Sequence, residues 1–144
     1  MDKRLKHLEF IQNVITRMNS NSFLIKGFSI TLITALIALA SGDCNETFIL
    51  VVYFPIPILW ILDSFYLSQE RQFRLLYENV SNKDENSIDF SMDTSSVTRI
   101  NTTDTDDIVK RKKRAEWVPS GFSKTFLIFY LSEIGLSILV LSLI

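Results

Sequence analysis

Glu133 is the residue of this 144-residue chain whose position most needs a chemical explanation. It falls inside the apolar run FLIFYLSEIGLSILVLSLI, residues 126–144, where an unpaired carboxylate is costly and normally faces a bundle interior or a water-filled cavity. On a helix drawn through this run, Ser132, Gly135 and Ser142 share one flank, while Glu133 and Ser137 share another. Small and hydroxyl-bearing side chains let helices approach closely, and they can also line a water-filled path. Three helices of one chain are too few to enclose a pore. A symmetric ring can do so, with Glu133 repeated around its axis as a carboxylate ring that favours cations. Glu133, Ser132, Gly135, Ser137 and Ser142 are therefore the pore-lining candidates. The alternative is that Glu133 stays protonated and hydrogen-bonds another helix, or snorkels away from the lipid.

The second chemically suggestive group is basic. Lys110, Arg111, Lys112, Lys113 and Arg114 stand together, followed by AEWVPSGFSK. Five cations just before an apolar span commonly bind anionic lipid headgroups, at about 1 kcal/mol each. They could equally hold the phosphates of an oligonucleotide, with its bases stacked on Phe73, Tyr77 or Trp117. Arg71 and Arg74 are three residues apart, so they share a helix face and are candidates for the same anionic ligand. As a plainer alternative, they are positive charges flanking a membrane span.

Soluble-enzyme chemistry has little to work with. The chain has one cysteine, Cys44, and one histidine, His7, the latter read as a polar-face residue. The four glycines are too dispersed for a phosphate-cradling loop, and neither GxGxxG, GxxxxGK[ST] nor GxSxG occurs. The expectation is a protein that is not an enzyme, with no catalytic residue, no metal and no cofactor.

The elements that must position these residues follow from the charge distribution. Charged residues are 22% of the chain, yet 28–40, 47–62 and 125–132 contain none. A helix needs about twenty apolar residues to cross the hydrocarbon core, and 22–40, 48–67 and 126–144 supply them. Lys26 sits near one end of the first, where its stem can snorkel. Pro55 and Pro57 predict a kink or break in the second. Asp63, near the end of that span, could pair with Lys124 or Arg71. Lys and Arg precede the first span and fill 68–122, whereas 41–47 carries only Asp43 and Glu46. The positive-inside rule then puts the N-terminus and the middle in the cytoplasm and the C-terminus outside.

The remaining segments read as follows. Leu5, Leu8, Ile11, Ile15 and Met18 recur at spacings of three and four, predicting an amphipathic helix over 3–18 that lies on the membrane or packs on a neighbouring subunit. The helix of the second span is expected to continue through 68–80. Residues 81–109 turn polar, with seven acidic residues against Lys83 and Arg99. Alternation at 87–92 and 97–100 suggests short strands or a hairpin there, with disorder as the alternative. The predicted fold is membrane all-α. Residues 1–80 form the amphipathic helix, the transmembrane hairpin and its helical extension. Residues 81–122 form a small polar insert carrying the basic cluster, and 123–144 the third transmembrane helix.

The run KHLEFIQNVITRMNSNSFLIKGFSITLITALIALA, residues 6–40, resembles small bacterial membrane proteins of antiphage defence, and within them the Hailong-type membrane effectors. The likeness covers about the first eighty residues: an amphipathic N-terminal helix, an N-S-N-S-F corner and a hydrophobic hairpin, then a variable cytoplasmic part. It implies a homotetramer in the bacterial inner membrane whose channel is held shut by a single-stranded oligonucleotide. That ligand, made by a nucleotidyltransferase-like partner, binds on the cytoplasmic side. The resemblance transfers no ligand-contacting residue. A non-conducting membrane adaptor that recruits a cytoplasmic partner is the rival reading.

Overall fold

The computed structural model of the chain describes residues 2–40 and 51–143. Its helices run in the order α1 (Lys3–Ala40), α2 (Pro55–Ser81), α3 (Ser95–Thr98), α4 (Asp106–Ala115), α5 (Trp117–Gly121) and α6 (Lys124–Leu143), with a 3-10 turn at Glu85–Ser87. No strand forms among the described residues. The expected loop at 41–47, with Cys44, and the start of the second span at 48–50 lie outside them.

α1 is one helix of 38 residues, about 57 Å long at 1.5 Å per residue, nearly twice the thickness of a hydrocarbon core. The corner expected at 19–23 does not exist, and the amphipathic segment and the first apolar segment are continuous. Residues 19–23 hold no Gly or Pro to break the helix. Ser22, which could have competed for the local backbone, instead donates its hydroxyl to Asp63.

Residues 51–53 are helical, and Phe54 is a turn leading into α2. The expected proline break thus falls one residue ahead of Pro55. Pro55 and Pro57 then occupy the first turn of α2, where their missing N–H groups would have had no helical acceptor.

α1 and α2 pack antiparallel around two apolar clusters. Ile33, Val52, Ile56, Phe126 and Tyr130 form one, which α6 joins. Ile11, Ile15, Leu76, Val80 and Val97 form the other. The amphipathic face of α1 is therefore covered by the chain's own α2 and α3, not reserved for lipid or a neighbour; Leu5, at its end, remains exposed. α6 lies parallel to α1, with Glu133 beside Ser29, and antiparallel to α2, with Tyr130 beside Asp63. Outside this bundle, Phe23, Phe28, Ile58, Ile61, Ile128 and Leu131 are all exposed, an apolar belt of the kind that marks contact with a membrane or with another protein. Two helices, Lys3–Leu39 and Val51–Ser81, are long and apolar enough to cross a membrane.

Residues 82–122 fold back on the far ends of α1 and α2 as a helical cap. The strands expected at 87–92 and 97–100 are absent. Ile88 and Met92 pack on the second apolar cluster, but no neighbouring strand offers a ladder. Local side chains take the backbone donors instead: Asp89 accepts from the Ser91 N–H, Ser91 from the Asp93 N–H, and Asp93 from the Ser95 N–H. Ser95–Thr98 closes as a single helical turn. Phe90 has φ 56°, a left-handed conformation that costs a non-glycine residue on the order of 1–3 kcal/mol. Its ring lies 5.4 Å from that of His7.

His7 is not the polar-face residue expected. It is 1% exposed, and its Nε2 lies 3.1 Å from the Ser91 carbonyl, a bond that requires the Nε2–H tautomer.

Candidate functional site

Two groups of polar side chains sit where chemistry or recognition could occur: one inside the apolar part of the bundle, one on the cap.

The first begins with Asp63 on α2, 0% exposed. The Lys26 ammonium of α1 lies 2.6 Å from its Oδ2, and the Ser22 hydroxyl donates to Oδ1 at 2.5 Å. Tyr130 of α6 donates its phenol to Oδ2 at 3.2 Å. Lys26 also donates to Ser22 Oγ at 2.8 Å and stands 4.2 Å above the Phe126 ring. A buried carboxylate needs an opposite charge and several donors to offset its lost hydration, and α1 and α6 supply them here. This corrects two expectations. Lys26 does not snorkel outward, and Asp63 pairs with neither Lys124 nor Arg71. The spacing of Ser22, Lys26 and Ser29 at i, i+4 and i+7 was the available signal, a polar stripe down an otherwise apolar helix.

One turn further along, Ser29 Oγ lies 2.9 Å from both carboxylate oxygens of Glu133. Glu133 lines a groove of ≈ 410 Å³ between α1 and α6, together with Thr34, Ser132 and Ser137 among isoleucines, Phe129 and Leu136. The groove opens on the outside of the bundle. Ser137 is buried and shares a contact with the Tyr53 hydroxyl at 3.4 Å. Ser132 and Ser142 are exposed on the outer flank, each hydroxyl bonded to its own helix at Phe129 and Leu139. Gly135 is exposed between them, with no atom within 4 Å of where a Cβ would stand. The pore-lining candidates thus divide: Glu133 and Ser137 turn toward α1 and α2, Ser132 stands exposed at the rim of the groove, and Gly135 and Ser142 turn away from the bundle.

The second group is the basic cluster, and helical geometry splits it. Arg111 pairs with Glu78 of α2. Lys112 is buried, 2.8 Å from Asp104 and 2.7 Å from the Arg99 carbonyl. Arg71 donates to the Arg114 carbonyl at 2.8 Å and reaches Ser120 Oγ at 3.4 Å, fastening α4 and α5 to α2. Ser68 adds a 2.7 Å bond to the Ala115 carbonyl. Arg74 pairs with Glu70 one turn back at 2.7 Å. Lys110, Lys113 and Arg114 share the outward face of α4, and their side-chain cations have no ion pair or hydrogen bond among the described residues. Seven candidate cations therefore become four internal fasteners and three free charges. The hydrogen bond to Glu78 raises the Arg111 pKa. The Asn101 N–H and then Lys112 hold the Asp104 carboxyl below its usual range.

Sequence reasoning also missed a cleft of ≈ 350 Å³ in the cap, between the end of α2 and α4. Asn79, Asn82, Ser96 and Asn101 line it with Arg111, Lys112, Glu78 and Asp104. These residues come from four separate segments, so no local spacing announces them. Among the described residues, no group of three His, Cys, Asp or Glu side chains converges on a possible metal position. No family model, curated protein or solved structure is found to match this chain.

Proposed function

We propose that this chain is the subunit of a self-assembling, ion-conducting membrane pore whose opening is controlled from its cytoplasmic cap. In this reading α1, α2 and α6 all span the bilayer, the N-terminus and cap are cytoplasmic, and the C-terminal end of α6 is outside. The observation that carries it is the half-buried Glu133 carboxylate in a groove that opens on the outside of an apolar bundle. At membrane depth such a group needs water or another polar surface beside it. A second copy of the chain supplies both in a ring, and the uncrowded Gly135 and Ser132 flank permits close helix contact.

Control would act through α4. The Arg111–Glu78 and Lys112–Asp104 pairs bracket the cap cleft. An anionic ligand, of which an oligonucleotide is the class implied by the resemblance, competes with Glu78 and Asp104 for these cations. Displacing α4 pulls on α2 through Arg71 and Ser68. A ligand shifts the equilibrium only by its differential affinity for the two arrangements. Antiphage growth arrest by depolarisation is the physiological role this mechanism fits.

The rival reading, a non-conducting adaptor, has one observation in its favour: the Ser29 hydroxyl already donates a shared hydrogen bond to Glu133 within one chain. Ion flux separates the two. Purified protein in dye-loaded liposomes should pass cations, and Glu133→Gln should abolish or alter that selectivity. Liposomes that stay tight under every condition in which the protein is folded and inserted would remove the pore reading.

A further inference from the structure

The helix that carries the three free cations ends against the short helix that walls an apolar pocket. The Arg114 carbonyl accepts from Ser120 Oγ at 3.0 Å, which sets the end of α4 against α5. Immediately beyond Ser120, a pocket of ≈ 260 Å³ opens between Trp60, Ile61, Trp117, Val118 and Phe122. Both indoles turn their N–H groups inward: Trp60 to the Gly121 carbonyl at 2.9 Å, and Trp117 to Ser64 Oγ at 3.1 Å. What they present outward is carbon, and Trp117, Val118 and Phe122 are all exposed. The acids of α4, Asp106 and Asp107, stand one turn before Lys110, about 5 Å along the axis, and about 11 Å from Arg114.

We propose that Lys110, Lys113 and Arg114, with the pocket beneath Trp117 and Phe122, form a binding site for an anionic phospholipid of the leaflet that faces the cap. The phosphate takes the three cations, and an acyl chain fills the pocket. Charge complementarity selects the headgroup. The pocket favours a lipid, whose acyl chain it buries against carbon; an oligonucleotide would have to stack a base on Trp117 instead, and competition between the two separates them. Arg71 fixes this geometry through the backbone of Arg114, so the site is built on α2 and not on a mobile tail. The site rests on the membrane reading but not on pore formation, and it is distinct from the cap cleft, which uses Arg111 and Lys112.

Full-length protein is reconstituted in phosphatidylcholine vesicles containing or lacking phosphatidylglycerol, and co-purifying lipid is measured by native mass spectrometry after detergent extraction. Each surface cation contributes about fivefold, so three amount to an enrichment of phosphatidylglycerol on the order of a hundredfold at low salt, falling as salt screens it. Lys110→Gln/Lys113→Gln/Arg114→Gln should lose the preference while keeping phosphatidylcholine. Ile61→Trp, which fills the pocket, should lose retained lipid of both kinds. Lys83→Gln, which removes a cation of the cap outside α4, should change neither. Equal retention of the two lipids by the wild type overturns the proposal. So does displacement of bound phosphatidylglycerol by a single-stranded oligodeoxynucleotide at matched phosphate concentration, which would mark the face as a nucleic-acid site. Vesicle flotation of the wild type is scored in parallel. Failure to float with either vesicle overturns the membrane reading itself, whereas flotation without lipid preference overturns only the site.

Discussion

Lys26 and Asp63 meet at 2.6 Å across the antiparallel α1–α2 pair, in the polar layer that separates the two apolar clusters. Asp63 has no exposed surface, and Ser22 and Tyr130 complete its hydrogen bonds from two further directions. The pair fixes the relative height of α1 and α2, because sliding either by a turn strands a buried charge, and the Tyr130 hydrogen bond ties α6 to the same level.

Breaking one side of this pair should be far worse than removing both. Lys26→Met leaves Asp63 buried without its counter-ion, at a cost of about 3–5 kcal/mol. Lys26→Met/Asp63→Leu should recover most of that loss. Thermal unfolding in detergent of the wild type, Lys26→Met, Asp63→Leu and the double variant gives the coupling directly. Additive losses would mean that the two charges do not stabilise one another.

Ser29→Ala removes the hydroxyl that both Glu133 oxygens share. The carboxylate should then be freer to reorient toward a neighbouring copy. In the pore reading, cation flux in liposomes rises or its selectivity changes while assembly persists. In the adaptor reading, cross-linked oligomers disappear and no flux is seen with either form.

Gly121 approaches α2 so closely that any Cβ there would force its neighbour to shift. A Cβ there would stand 3.1 Å from Ser64 Cβ on α2. Gly121→Ala should push α5 from α2, weaken the Trp60 bond to the Gly121 carbonyl, and destabilise the protein by about 1–3 kcal/mol. Tryptophan emission shifted to longer wavelength, with a lowered melting temperature, would register the displacement.

The cap should loosen in acid. Asp104 has a depressed folded-state pKa, set first by the Asn101 N–H and then by Lys112. Its contribution to stability is therefore complete above the unfolded carboxylate pKa of about 3.9, and it is lost as pH falls through the lower folded value. Limited proteolysis within 99–105 should increase over that acidic range in the wild type. Asp104→Asn should show the faster cleavage already at neutral pH and a flatter response to acid.

Reversing the Arg111–Glu78 pair tests the proposed control. Both side chains are substantially exposed, so Arg111→Glu/Glu78→Arg should cost less than about 1 kcal/mol in stability. Its effect should appear in the ligand response: an anionic oligonucleotide that alters flux through the wild type should act more weakly once the exchange takes the cation from α4 to α2. An unchanged dose response would exclude Arg111 from the ligand site.

Periodicity alone determined much of this protein. The apolar segments, the continuation of α2 through 68–80, an interruption near the paired prolines and the apolar surroundings of Glu133 are all statements about hydropathy and helix geometry within one segment. The sequence also marked the five adjacent cations, because composition needs no fold to be seen. Only tertiary structure decided which partner each polar side chain takes. Helical rotation turned Arg111 and Lys112 inward and left Lys110, Lys113 and Arg114 outward. The length of α2 covered the N-terminal half of α1, so a helix expected to bend at 19–23 stayed straight. Alternation at 87–92 read as strand because period two has that meaning only when a second edge stands opposite. Here helices surround the segment and its own Asp and Ser side chains take its backbone donors. Pairing across tens of residues depends on which surfaces meet, and that information resides in no local stretch of chain.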